Sequence, residues 1–355
     1  MPEDLPDAQR AQTARPPSPL PAPVGDHGLA WRSLSLADNV ALVELLARIE
    51  EHDNPPYRTT VEESAENFAQ AGNEAAHDML GGFDADGVMR AFGMVRIRSG
   101  EGGLVRALCE GGVDPRWRRR GIGTALLAWQ VERARQRVGD DRDVAARIVV
   151  HVEDGMDDAV SLLRRAGFAA RRWYTEMRRD LAKEIPQVQL GANLRVEPWQ
   201  PSLDDAVRRA HNEAFRDQWG AEQHTPETWT QGRTFFAPEW SFVALDRTSD
   251  RARVAGYLMS GRYELDWPAQ GWTEGYTEVL GVRREWRGKR IATALLTTAM
   301  RAYAADGMQY AGLGVDRASR TAPLGLFTHL GYEPTRGSAM YTLEIGATPP
   351  PGSAD

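Results

Sequence analysis

Val113-Asp114-Pro115-Arg116-Trp117-Arg118-Arg119-Arg120-Gly121-Ile122-Gly123-Thr124-Ala125-Leu126-Leu127 returns later in the chain as Val282-Arg283-Arg284-Glu285-Trp286-Arg287-Gly288-Lys289-Arg290-Ile291-Ala292-Thr293-Ala294-Leu295-Leu296. The two runs align without a gap, Arg287 standing 169 residues after Arg118. Downstream, Ala166-Gly167-Phe168 matches Leu330-Gly331-Tyr332 at a spacing of 164, so an intervening loop differs by five residues. Solenoid repeats run to roughly 20–45 residues. Copies a whole domain apart therefore mean tandem duplication.

Both copies share one order of elements. Copy one predicts an extended stretch near Leu29–Leu34, then a helix over Ala37–Glu51 with Leu42, Leu45, Leu46 and Ile49 on one face. A second helix over Val61–Ala71 precedes strands near Met79–Phe83, Met89–Ile97 and Leu104–Val113. A helix over Arg119–Arg137, a strand over Arg147–Val152, a helix ending at Gly167 and a strand over Phe168–Met177 complete it. Copy two repeats the plan with helix Leu203–Trp219, strands Phe242–Leu245, Val254–Arg262 and Thr273–Val282, helix Lys289–Ala305, strand Tyr310–Val315, helix Thr321–Leu330 and strand Ala339–Ile345. The pattern predicts α/β (α+β, mixed-sheet) domains over 29–181 and 192–346. A linker over 182–191 carries the breakers Pro186 and Gly191. The proline-rich stretch 1–28 and the end 347–355 are expected to be disordered.

At about 150 residues per domain, 355 residues leave room for two. A net charge of −7 argues against non-specific nucleic-acid binding. The lone Cys109 excludes a disulfide framework and a cysteine-based zinc site. No apolar run approaches the roughly 20 residues of a spanning helix, and Met1-Pro2-Glu3-Asp4 does not open a signal peptide. The expectation is a cytoplasmic protein, monomeric or weakly dimeric, with no metal and no membrane partner.

The repeated element is a strand that ends in a basic turn and runs straight into a helix. A helix start presents unpaired N–H groups and a positive dipole end, which suit phosphate oxygens. Glycines allow close approach, and arginines add charge. A P-loop would need Gly-Lys-Ser/Thr, which neither copy has, and a dinucleotide fingerprint would need glycine where Leu126 stands.

The Arg-Arg-Arg-Gly-Ile-Gly turn resembles the acetyl-CoA pyrophosphate loop of the GNAT N-acetyltransferase superfamily, whose pattern is Arg/Gln-x-x-Gly-x-Gly/Ala. The segments Ala159–Phe168 and Pro323–Tyr332 resemble its closing helix-strand signature. The resemblance covers about residues 29–346 as two tandem GNAT-like domains, an arrangement similar to the mycothiol synthases. It implies acetyl-CoA in a cleft between splayed strands four and five of each copy. Implied contacts are Val113, Arg118, Arg119, Arg120, Gly121, Ile122, Gly123 and Thr124 in copy one. In copy two they are Val282, Arg287, Gly288, Lys289, Arg290, Ile291, Ala292 and Thr293.

Three departures stand out. Arg290 replaces the usual glycine, which is harmless if only its N–H is needed and damaging if φ must be positive. The family's proton-donating tyrosine is Leu163 in copy one and Phe327 in copy two, and Ser319 replaces a common asparagine.

Amine acetylation needs a base, a positioned nitrogen and donors for the oxyanion. In the family, a carboxylate on the fourth strand often serves as base. Copy two has Glu278 there; the aligned residue of copy one is Cys109, with Glu110 on the opposite strand face unless a bulge near Gly111–Gly112 turns it inward. Glu278 is thus the expected base and copy two the catalytic half, with copy one keeping an intact acetyl-CoA loop in a supporting role. His211 is a candidate base or acceptor contact, sharing a helix face with Phe215, and Tyr263, Trp267 and Trp272 are candidate stacking residues. The reading is acetyl transfer to a small-molecule primary amine. Alternatives are a degenerate acetyl-CoA sensor, or acetylation of protein or RNA through Arg164, Arg165, Arg171, Arg172, Arg178 and Arg179.

Overall fold

A computed structural model describes residues 27–71, 75–99, 104–138, 145–216, 223–318 and 324–346, with Pro23 and Gly25. The expectations at Trp219, Ser319, 321–323 and most of both tails lie outside the described residues. Copy one comprises β1 (Ala30–Ser33), α1 (Asn39–Asp53), α2 (Val61–Ala71), β2 (Met79–Phe83), β3 (Met89–Ser99), β4 (Val105–Val113), α3 (Ile122–Val138), β5 (Ala145–Glu153), α4 (Asp157–Arg165) and β6 (Ala169–Asp180). Copy two comprises β7 (Leu194–Pro198), α5 (Asp204–Ala214), β8 (Phe242–Asp246), β9 (Arg253–Gly261), β10 (Glu274–Val282), α6 (Ile291–Ala305), β11 (Tyr310–Asp316), α7 (Leu324–His329) and β12 (Glu333–Gly346).

The element boundaries have local causes. Helix α1 buries Leu42 and Leu45 and stops at Asn54, whose left-handed φ of 49° lets its N–H reach the Glu50 carbonyl. Pro55 and Pro56 then forbid continuation. The helices start later than the periodicity suggested, at Ile122 and Ile291 rather than Arg119 and Lys289, because the basic residues form the turn itself.

The twelve strands among the described residues form one sheet, in the order β1-β2-β3-β4-β5-β12-β6-β11-β10-β9-β8-β7. At its centre the halves exchange their last strands. Strand β6, from copy one, pairs antiparallel with β11 of copy two, and β12, from copy two, pairs with β5 of copy one. The exchanged strands also pair with each other. The cores follow. Met177 and Leu181 sit in the copy-two core, whereas Tyr341 and Ile345 complete the copy-one core against Ile148, Leu126 and Phe168. Burying such side chains contributes about 1.5–3 kcal/mol each.

In each half the two parallel strands pair for four residues and then part. In copy one, Val105–Leu108 pairs with Ala146–Val149; in copy two, Glu274–Thr277 pairs with Tyr310–Leu313. No helix among the described residues is long and apolar enough to cross a membrane.

The exchange predicts that damage to one half's strand is felt in the other. Tyr341→Ala should cost about 3–5 kcal/mol, and the loss of hydrogen-exchange protection should fall on β5 and α3 of copy one. Protection lost only within copy two would contradict this.

Candidate functional site

The two basic turns share one backbone. Left-handed φ occurs at Arg119 (63°) and Gly121 (83°) in copy one, and at Gly288 (76°) and Arg290 (61°) in copy two. Each turn therefore needs two left-handed residues, and each meets the need with one glycine and one arginine in opposite order. Arg290 occupies the demanding position rather than the harmless one, at an ordinary cost of about 1–2 kcal/mol for a residue with a Cβ.

Their electrostatics differ sharply. In copy one, Arg118 forms a two-pronged ion pair with Asp53 (2.7 and 2.6 Å), and Arg119 pairs with Asp158 at 2.5 Å. Arg120 stacks on Trp117 at 4.6 Å. His27 packs over the turn, its Nδ1 3.1 Å from the Arg120 carbonyl and its ring 3.2 Å from where a Gly121 methyl would be. His27 and Gly28 are thus part of the fold, contrary to the expectation that the tail ends at residue 28. In copy two, Arg287 bonds only backbone carbonyls, of Val282 (3.2 Å) and Ala214 (2.9 Å). Among the described residues no carboxylate pairs with Arg287, Lys289 or Arg290, and Lys289 acts on Asp246 only through space. The intact loop expected of copy one has two of its three cations, Arg118 and Arg119, already paired with carboxylates from within the chain.

A cavity of about 600 Å³ lies in copy two where β10 and β11 part. Val282, Arg287, Gly288, Arg290, Ile291, Ala292 and Thr293 line one end, and Thr277, Glu278, His211, Phe215, Leu313, Asp316 and Phe327 also face it. Phe327 is buried and supplies no proton. Asp316 is held at 2.5 Å by Arg172, which arrives on the exchanged strand β6.

Glu278 is set apart by a β-bulge. Thr277 pairs with Ser260 and Val279 with Met259, so Glu278 is an extra residue without a partner on β9. Copy one has no counterpart: β3 and β4 pair one to one from Ala91–Val113 to Ser99–Val105. The bulge considered near Gly111–Gly112 is absent, Glu110 stays half-exposed in an ion pair with Arg96, and Cys109 is packed into the core with its thiol pushed up to about 12 by burial. The Glu278 carboxylate accepts the Tyr263 hydroxyl at 2.6 Å. A methyl group at Gly261 would collide with both side chains, so this glycine makes room for the pair. Burial raises the Glu278 pKa, and the Tyr263 bond and the charge of Arg233 oppose the rise.

Beside Glu278, Thr277 Oγ1 lies 3.2 Å from Tyr303 Oη, which lies 2.6 Å from Ser260 Oγ. Ser260 donates to the Trp240 carbonyl at 2.7 Å. This buried chain fixes the point where β10 leaves β11, and its members lie too far apart in sequence to have been grouped.

His211 stacks on Phe215 (4.6 Å) and lies against Trp229 and His224. Its Nδ1 is 2.5 Å from Tyr257 Oη. Tyr257 is fully buried and holds its proton, since desolvation raises its pKa well above 10. No other acceptor for that hydroxyl occurs among the described residues, so Tyr257 donates to Nδ1 and the ring proton sits on Nε2. Burial, aided by His224, pushes His211 down to about 4. A neutral ring whose lone pair is already engaged is a donor rather than a base. Tyr257 lies within an apolar strand and gave no sequence signal.

The other candidates are internal. Trp272 donates to Glu274 (3.1 Å) under the Arg178 guanidinium, and Trp267 borders the copy-two core. Of the proposed basic surface, Arg172 and Arg179 are buried, the latter bonding the carbonyls of Leu330 and Glu184.

Comparisons with known proteins address the family and the fold. The acetyltransferase (GNAT) family profile matches residues 42–168 and again 205–332. The chain is 30% identical over 288 residues to the mycothiol acetyltransferase of Gordonia bronchialis, spanning 78% of this chain and 84% of that one. It is 26% identical over 346 residues to the mycothiol acetyltransferase of Nocardiopsis dassonvillei, spanning 92% and 94%. Among solved structures, a GCN5-related N-acetyltransferase from Sphaerobacter thermophilus superposes with a TM-score of 0.67 at 23% identity, covering 92% of this chain and all of that one. A tandem GNAT protein from the clavulanic acid pathway superposes with a TM-score of 0.63 at 16% identity, covering 90% and 99%.

Arg290→Gly should raise stability by roughly 0.5–1 kcal/mol, the relieved strain being partly offset by unfolded-state entropy. The same variant should bind coenzyme more weakly through loss of a cation. Denaturant midpoints and a coenzyme titration check both, and a destabilised variant would refute the strain.

Proposed function

Because the chain belongs to the GNAT acetyltransferase family, we propose that this acyltransferase moves an acetyl group from acetyl-CoA to a small-molecule primary amine, and does so in copy two. The supporting observation is the bulge that carries Glu278 to the wall of the cavity, at whose other end lie an unneutralised basic turn and a helix start. In that reading Val282 and the residues Arg287–Thr293 hold the coenzyme: free N–H groups at the start of α6 and three cations suit a diphosphate. Copy one, its turn closed by Asp53, Asp158 and His27, is the supporting half and takes no coenzyme.

The acceptor reaches the enzyme as an ammonium ion. Glu274, Tyr276 and Glu176 share the β10 face opposite α6, where Tyr276 donates to Glu176 at 2.9 Å. Burial raises the pKa of Glu176, Glu274 and Glu278 alike, against the nearby charge of Arg336 at Glu176, of Arg178 and Arg336 at Glu274 and of Arg233 at Glu278, and a bound cation favours their ionised forms. Glu278 takes a proton from the ammonium, and the freed nitrogen attacks the thioester carbonyl. The carbon–nitrogen bond forms, the carbonyl oxygen becomes an oxyanion beside the backbone of the bulge, and the carbon–sulfur bond breaks as the amide forms. With Phe327 in place of the family's tyrosine, the second proton leaves the nitrogen through water as the amide forms, and the same water passes it to the departing thiolate. His211 donates Nε2–H into the cavity as a binding contact. The relatives' name makes the amine of a mycothiol precursor the first acceptor to test, and the compartment in this reading is the cytoplasm.

Glu278→Gln should lower kcat by about 10²–10⁴-fold, as loss of a general base does, with KM for acetyl-CoA little changed. Full turnover would end the assignment. In wild type, kcat/KM should fall as the pH drops through a midpoint above the ordinary glutamate value of about 4.3, because a raised pKa leaves the base protonated at higher pH.

Calorimetric titration should find one acetyl-CoA per chain. Lys289→Ala should weaken binding, and Arg119→Ala should leave it unchanged. Two equivalent sites would refute the closed turn of copy one.

A further inference from the structure

The connection from β9 to β10 carries Tyr263 and Asp266 in one turn, the Asp266 N–H bonding the Tyr263 carbonyl at 3.1 Å. That turn is held from the other half of the molecule. The buried Asp266 carboxylate accepts the backbone N–H of Arg58 at 2.7 Å, and Gln270 donates to the Pro56 carbonyl at 2.9 Å. The Arg58 loop is itself stapled to α1, since the buried Glu50 accepts the Thr59 hydroxyl at 2.7 Å. A continuous chain of contacts thus runs from α1 of copy one, through Arg58 and Asp266, to Tyr263 and the Glu278 carboxylate.

We propose that Tyr263 is the positioning residue of the copy-two base, and that copy one holds Tyr263 in place through the Arg58–Asp266 contact. This rests on Glu278 being the base. It gives copy one a role in the reaction that its closed turn does not. Tyr263 is fixed on its other sides by the Phe235 ring at 4.8 Å and the Tyr276 ring at 5.9 Å, so its hydroxyl has a defined approach to Glu278. The charged and titratable groups that bear on this pair are Arg233, Tyr276, Tyr303, Glu63 and Asp266, whose own carboxyl burial pushes up to about 6.

The signs separate positioning from simple electrostatics. A hydroxyl donated to the ionised carboxylate favours that form, so losing it raises the pKa of Glu278. Removing the negative charge of Asp266 would by itself lower a neighbouring carboxyl. If Asp266 acts by holding Tyr263, its removal raises the pKa instead.

The test is a pH titration of the full chain carrying ¹³C-carboxyl glutamate, with the Glu278 resonance identified by its disappearance in Glu278→Gln. This readout needs no acceptor. Tyr263→Phe should move the midpoint up by about one pH unit. Asp266→Ala should move it in the same direction by less, and Asp266→Asn, which removes the charge but keeps a carbonyl for the Arg58 N–H, should not move it up. An unmoved midpoint in Tyr263→Phe, or a downward shift in Asp266→Ala, overturns the proposal while leaving the base assignment standing. Full turnover by Glu278→Gln overturns the base assignment, and the positioning role falls with it.

Discussion

The antiparallel pairing of β6 with β12 is the contact on which the molecule depends. Each strand ends one copy of the repeat, yet each finishes the sheet and the core of the other copy. Met177 fills the copy-two core from copy one, and Tyr341 fills the copy-one core from copy two. Charged groups follow the same crossing: Arg172 on β6 holds Asp316 on β11, and Arg147 on β5 holds Glu344 on β12. Neither copy can bury its apolar surface alone, so each half is required for the folding of the other.

That dependence accounts for the pattern of divergence. Strand order, the long helix between the two parallel strands and their four-residue pairing before the splay are alike in both halves, because they build the shared sheet. The differences lie at the basic turns and in the register of β4 and β10. In copy one the turn cations meet Asp53 and Asp158; in copy two Asp53 is replaced by the end of α5, where Arg287 finds only the Ala214 carbonyl. A diphosphate brought to copy one must displace carboxylates, whereas at copy two it meets charge that is not yet balanced. The second difference is a single residue of register. A one-to-one ladder buries Cys109, and one extra residue in β10 brings Glu278 to the cleft.

Much of this was legible in the chain itself. The repeat fixed two domains and aligned the turns, and the constant spacing placed Glu278 over Cys109. What escaped is what no single copy encodes. Strand exchange is invisible because β6 and β12 carry the same pattern whichever partner they take. A bulge is a relation between two strands, so neither β9 nor β10 announces it by itself, and the family resemblance alone implied one on the fourth strand. The neutralising aspartates come from α1 and α4, distant from the arginines they hold. Tyr257 reads as one more core aromatic until the fold brings His211 against it. Folding also put Arg172, Arg178 and Arg179 to internal use, which composition counts as surface charge.

The left-handed arginines show how the two requirements meet. The chain must turn sharply from strand to helix in both copies, and two residues in each turn have positive φ. A glycine at each would remove the strain, but neither turn has two. In copy one the strained residue is Arg119, and its guanidinium is spent on Asp158. In copy two it is Arg290, which immediately precedes the first helical residue and has no carboxylate partner among the described residues. Strained backbone persists where the surroundings over-determine it, and it is common at ligand clamps. Strand-to-helix geometry fixes the conformation in both halves. Only in copy two does that conformation present a free cation at the positive end of a helix, where an anion gains from both.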